Sequence, residues 1–199
     1  MHPQLQALLD DFGSARERLH RLQATVPADR WGQRPSEGSW SVAECVAHLN
    51  LTSQAYIAPL REALARGRAA GGAAPARFKR DLLGWIVWRA VRPETRTKIK
   101  TSAPFVPAIP TAGAPAAEIG AEFDRLQDEQ MELVRRADGL PLNKLKIVSP
   151  FGPGFKYSVY SAFTILPAHQ HRHLQQAERA WEAISSRTQA KHCPSGIWV

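Results

Sequence analysis

Four long stretches of this sequence repeat apolar residues every three or four positions, no run alternates convincingly as a strand, and 199 residues suffice for one well-buried core. These observations predict an all-α fold, a four-helix bundle with a long crossover between its second and third helices. The bundle is expected over residues 1–187, with a basic and proline-rich crossover at 66–115 and an irregular tail at 188–199.

The first helix is expected from about Gln4 to Val26, where Leu5, Leu8, Leu9, Phe12, Ala15, Leu19 and Leu22 form one stripe and Pro27 ends it. A polar loop runs to Gly38. Ser41 followed by Glu44 has capping-box spacing: the serine oxygen takes the N–H at Glu44 while the glutamate reaches back, so a second helix starts at Ser41. Its stripe, Cys45, His48, Leu49, Thr52, Tyr56, Leu60 and Leu64, puts His48 on the buried face, where an imidazole needs a partner. Arg66 to Pro75 reads as a loop and Phe78 to Val91 as a short apolar helix flanked by Lys79, Arg80 and Arg89. Pro104, Pro107, Pro110 and Pro115 predict an extended surface strap over 101–115.

The third long helix is expected from about Ala116 to Ala137, with Ile119, Phe123, Leu126, Gln130, Leu133 and Val134 on one side and Gly139 ending it. After the turn residues Pro150, Gly152, Pro153 and Gly154, the fourth starts near Ser158 and continues to about Ser186. It carries Ala162, Leu166, His169, His173, Ala177, Ala180 and Ile184 in phase, with Pro167 at a position where a kink would re-aim His169. Trp31 and Trp40 read as plugs of the bundle end rather than ligand contacts.

The net charge of +8 is concentrated: residues 61–100 hold eleven Lys/Arg against three Asp/Glu, an excess equal to the whole. Such a segment can attract phosphates or an anionic membrane surface. However, it lacks a recognisable nucleic-acid reading module, and its aromatics cluster in one apolar run instead of interleaving with the charges. A solvated surface is therefore the expectation, with nucleic-acid or anionic-surface binding as the alternative. Cys45 and Cys193 form neither a disulfide framework nor a CxxC motif, and no signal peptide or apolar run near the ~20 residues of a membrane span appears. The expected setting is the reducing cytoplasm.

Three of the seven histidines fall in His169-Gln170-His171-Arg172-His173. Residues four apart on a helix lie about 40° from each other around the axis, so His169 and His173 can present nitrogens to one point while His171 projects elsewhere, to the surface. Such a pair alone can be hydrogen-bonded core. A third inward histidine, His48, on a separate helix favours a metal, because a bundle interior is where facing helices converge ligands. Three imidazoles on a zinc-like ion leave an open position for water or substrate, as a catalytic site requires. Glu44, one turn before His48, is the candidate catalytic residue, as an orienting group or base, although its capping role explains it equally well. Gln176, one turn after His173, is a candidate partner of that imidazole. Cys45 reads as a small buried hydrophobe, with a ligand or nucleophile as the other reading. His192-Cys193 reads as incidental, and no nucleotide-binding loop, Ser-His-Asp signature or paired catalytic carboxylates stand out.

Two of these stretches also resemble a known family. Trp40-Ser41-Val42-Ala43-Glu44-Cys45-Val46-Ala47-His48-Leu49 is similar to the "WS…E…HL" signature of the DinB-like (YfiT-type) metal-binding four-helix bundles, and His169 to Gln176 is similar to their fourth-helix "HxxxHxxQ" signature. Carried over by position, the resemblance implies His48, His169 and His173 as metal ligands. It further implies zinc or nickel, coordination positions open to water, frequent homodimers, and transfer chemistry between low-molecular-weight thiols and a small-molecule substrate. The resulting expectation is a metal-dependent thiol S-transferase or related hydrolase; the alternative is a non-catalytic, stress-associated metal-binding protein.

Overall fold

The first predicted stripe is buried in full: Leu5, Leu8, Leu9, Phe12, Ala15, Leu19 and Leu22 face inward on α1 (Pro3–Thr25) in this computed structural model, which describes residues 1–95, 101–109, 115–152 and 154–192. The other bundle helices are α2 (Val42–Ala70), α4 (Ala116–Arg136) and α5 (Val159–His192); the shorter α3 (Leu82–Val91) lies in the crossover. Both α1 and α2 pack against α4 and α5, and α3 leans on α5. The α2–α5 contact is the one that matters for the histidines, since it brings His48 opposite His169 and His173.

Local chemistry sets most of the helix ends. Ser41 caps α2 by accepting the Glu44 N–H at 3.2 Å while Glu44 Oε2 accepts the Ser41 N–H at 2.8 Å, the reciprocal pair the spacing predicted. Against expectation, α2 continues past Leu64 through the supposed loop as far as Ala70. Gly67 is tolerated in mid-helix because Leu145 packs onto it, with Leu145 Cδ1 only 2.5 Å from where a Cβ would stand. The helix stops at Gly71, whose φ of 70° an L side chain rarely adopts. In the fourth helix, Pro167 does not turn the histidines away: α5 runs through it and His169 still faces His48. The irregular tail is a second correction, since α5 continues to His192; residues 193–199, with Cys193, lie outside the described residues.

Between α4 and α5 the chain forms a small hairpin that the sequence pattern did not disclose. Strands β1 (Lys146–Val148) and β2 (Lys156–Ser158) pair antiparallel, with Ile147 opposite Tyr157 and both buried. Three residues per strand are too few for a period-two signal to stand out. The predicted crossover helix begins at Leu82 rather than Phe78, whose ring is buried against Tyr160. Within the predicted strap, Ala103–Phe105 form a 3-10 turn with Phe105 buried, and Pro110 lies outside the described residues.

The apolar core is in two parts. One gathers Leu5, Phe12, Tyr56, Leu60, Leu126 and Phe163; the other gathers Leu19, Trp31, Val42, Leu49, Phe123 and Leu174. Between them lies a polar layer. It contains Thr52, the histidines, and an amide network in which Gln127 bonds the Phe12 carbonyl (2.7 Å) and Gln170, while Gln170 bonds Gln130 at 3.0 Å. No helix among the described residues is long and apolar enough to cross a membrane.

The seat of α3 on α5 makes a testable point. Gly84 lies against Ser161, so a Cβ at position 84 would overlap that side chain and approach Asp81 Oδ1 to 2.6 Å. Gly84→Ala is expected to destabilise the protein by roughly 1–3 kcal/mol in urea denaturation, although alanine is favoured over glycine in a helix by about 1 kcal/mol. A neutral or stabilising effect would show that α3 is not seated there.

Candidate metal centre

The three histidines converge. One ring nitrogen from each of His48, His169 and His173 lies within 4.8 Å of the others, and the ring centroids are 4.4–5.1 Å apart. His48 and His169 are nearly enclosed, and His173 is partly open to solvent. Hydrogen bonds fix which nitrogens point inward. His48 Nδ1 lies 2.7 Å from the Phe105 carbonyl, which can only accept, so Nδ1 carries the hydrogen and Nε2 keeps a lone pair. His173 Nδ1 likewise meets Gln176 Oε1 at 3.0 Å, the contact anticipated one turn along the helix, which leaves its Nε2 as a donor atom.

His48 Nε2 and His169 Nε2 are 3.3 Å apart. Two nitrogens each about 2.0–2.1 Å from one ion in tetrahedral arrangement stand about 3.3 Å from each other, so this spacing fits a shared zinc-like ion. Electrostatics agree. Burial lowers the pKa of His48; burial, with the neighbouring His173, His48 and Arg172, holds His169 well below its ordinary value; and burial, with His48 and Arg172, brings His173 down to about 3. Neutral imidazole is the form a metal ion takes up. The residues present therefore fit a divalent ion.

Next to the histidines opens a cavity of about 1550 Å³. Trp40, Phe105, Val106, Phe151, Phe155 and Ile86 supply much of its apolar wall. Trp40 corrects one expectation: Trp31 is buried in the core, its Nε1 donating to the Val26 carbonyl, but Trp40 lies tilted against His48 at 5.1 Å and His173 at 5.9 Å and faces the cavity. His171 corrects another, since it is bound to Asp11 at 2.9 Å with its side chain 17% exposed rather than free at the surface. Cys45 is fully buried in the apolar core, where burial pushes its thiol pKa well up and keeps it protonated. Phe105 and Ser149, both lining the cavity, carried no recognisable sequence signal; a backbone carbonyl acting 57 residues from its histidine leaves none.

Fold and site together define a mostly helical bundle protein with three histidines that could hold a metal ion beside an open, largely apolar cavity. The sequence profile of the DinB superfamily matches residues 11–177, and the chain belongs to that superfamily. No protein of curated function and no solved structure matches it.

Glu44 has its carboxylate engaged. Both oxygens meet the Arg34 guanidinium, and Oε2 also accepts the Ser41 N–H. Burial pushes its carboxyl up, but Arg34 and Ser41 outweigh that and leave it below the usual range. A carboxyl depressed in the folded state stabilises the fold above its unfolded pKa, near 4.5, and that contribution is lost as pH falls through the folded value. Glu44→Gln is accordingly expected to cost about 1 kcal/mol near neutral pH, with the difference from wild type shrinking below pH ~4.5 in denaturant melts. Bound metal should remain unchanged; loss of metal with unchanged stability would contradict this assignment.

Proposed function

We propose that the protein holds one divalent ion, zinc or nickel, on His48, His169 and His173, and uses it to promote attack of a low-molecular-weight thiol, or else water, on a small electrophile bound in the adjoining cavity. The observation that carries this reading is the convergence of three neutral imidazoles at the wall of that cavity, two of them with their Nε2 lone pairs held inward. When bound, such an ion supplies Lewis acidity that favours the deprotonated form of a thiol or water presented to it.

The chain's own residues prepare the site. Phe105 and Gln176 hold two imidazoles in the tautomer that donates through Nε2. Trp40 covers His48 and His173 from one side, and Phe151 approaches His169 at 6.2 Å, so the ligands are shielded from bulk water on their apolar flanks. Cys45 is buried and protonated, which argues for a nucleophile from outside. Glu44, with its carboxylate committed to Arg34 and Ser41, acts in this reading as a positioning residue: it fixes the first turn of α2, from which His48 projects one turn later. The open cavity favours an enzyme over the non-catalytic alternative, since a purely structural site is closed by a fourth protein ligand. A cytoplasmic setting and homodimeric assembly, both expectations from the sequence, are part of the same proposal.

Metal analysis of the purified protein is expected to give one equivalent per chain. Replacing any one of the three histidines with Ala should remove most of it while helical circular dichroism stays close to wild type, because the two apolar clusters on either side of the histidines remain. Stoichiometric metal in the His169→Ala, His173→Ala double variant would sink the site.

For the reaction, the cobalt-substituted protein should change its visible spectrum on addition of a cellular thiol, and the metal-loaded protein should turn over thiol with an electrophile faster than His48→Ala. If no thiol perturbs the spectrum and no turnover exceeds that control, the transferase reading fails and a non-catalytic metal-binding role replaces it.

A further inference from the structure

A buried polar group in the wall of the cavity has hydrogen-bonding capacity left unspent. Ser149 follows β1, is 5% exposed, and lines the cavity. Its Oγ accepts twice, from the Tyr157 hydroxyl at 3.2 Å and from the Phe151 N–H at 3.2 Å. The Tyr157 hydroxyl is also hydrogen-bonded to that of Tyr56. Because Tyr157 donates to Ser149, the proton shared by the two tyrosines comes from Tyr56. Burial raises the pKa of both phenols, so both protons are in place at neutral pH. The chain therefore runs in one direction, from Tyr56 through Tyr157 to Ser149, and ends on a hydroxyl with both lone pairs occupied and its own hydrogen still to give. Among the described residues no acceptor takes it. A buried donor left without a partner is costly, so this hydrogen is suited to an acceptor that arrives in the cavity.

The surroundings define what that acceptor is attached to. Phe151 packs edge-on against Phe105 at 4.9 Å and against Tyr56 at 5.9 Å, and Phe155, half exposed, stands at the mouth. Charges on the wall are committed or remote. Glu94 pairs with Arg92, and Arg172 donates to the carbonyls of Ala90 and Thr95. Arg179 sits ten residues beyond His169 on α5, about 15 Å along the helix.

We propose that this end of the cavity binds an uncharged, largely apolar molecule bearing a neutral oxygen acceptor such as a carbonyl, the oxygen taking the Ser149 O–H and the apolar body lying against Phe105, Phe151 and Phe155. Its role as the electrophile rests on the reading given under Proposed function; its binding does not. With Phe151 touching both Ser149 and His169, the anchored molecule lies beside the histidine cluster.

The test uses the 199-residue chain free of metal and two probes with the same phenyl-and-four-carbon frame: benzylacetone, which carries a ketone, and butylbenzene, which does not. Binding is followed by amide chemical-shift titration. Benzylacetone is expected to bind with shifts centred on Phe151 and Phe155, and Ser149→Ala to weaken it roughly fivefold, the effect of one hydrogen bond. The same variant should leave butylbenzene affinity as in wild type. Phe155→Ser, at a half-exposed position that does not threaten the fold, should weaken both probes. Benzylacetone affinity unchanged by Ser149→Ala, an equal loss for butylbenzene, or shifts centred elsewhere would overturn the proposal. Since no metal is present, failure here leaves the metal reading standing, and ketone binding without thiol turnover would remove the transferase reading alone.

Discussion

His48 can turn a lone pair toward His169 and His173 because its other ring nitrogen is engaged by the carbonyl of Phe105. That single hydrogen bond gives the crossover a chemical part as well as a connecting one. Without it the His48 proton could sit on either nitrogen, and a proton on Nε2 would occupy the point where the three rings meet. The crossover is tied to the histidine-bearing helices a second time through Arg172, which lies between His169 and His173 in the chain and donates to the carbonyls of Ala90, Arg92 and Thr95 at and just beyond the end of α3. Movement of the crossover would therefore be felt at the histidines from two sides.

The division of the core into two apolar clusters places the polar layer where its groups are hardest to ionise. Along α5 the break falls between Leu166 and Leu174, the stretch that holds His169 and His173; along α2 it falls at Thr52 and Ser53. Low-dielectric surroundings on both sides keep the imidazoles neutral, and the same surroundings demand that other polar atoms in the layer find partners. Gln127, Gln130 and Gln170 meet most of that demand through one another and through the Phe12 carbonyl. An apolar flank thus serves two ends at once, stabilising the bundle and keeping the histidines neutral.

Much of the positive charge in the crossover region is used locally. Arg80 and Arg92 place their guanidinium groups 3.9 and 4.6 Å from the centre of the Trp88 ring, Arg61 pairs with Glu129, and Arg66 and Arg68 donate to the carbonyls of Lys146 and Arg136. Cations engaged in this way support the reading of this segment as a surface that fastens α3 and α2 to their neighbours, in keeping with aromatics that cluster in one apolar run instead of interleaving with the charges.

The sequence by itself determined the helices and the identity of the three inward histidines. Both are written in short-range spacing: apolar stripes at 3.6-residue period, the Ser41–Glu44 capping pair, and the His169–His173 interval each involve residues within a turn or two of one another. It misjudged the extent of α2 because Gly67 looks like a helix breaker until Leu145 is seen filling the space beside it, and it passed over the hairpin because three-residue strands hold no period. Only the tertiary structure decided how the histidines meet, which of their nitrogens face each other, and that Trp40, Phe105 and Ser149 stand around them. Those relations join segments 57 and 121 residues apart. Contacts of that range depend on how α2, α5, the crossover and the hairpin pack against one another, and the local rules that shape each element place no constraint on that packing.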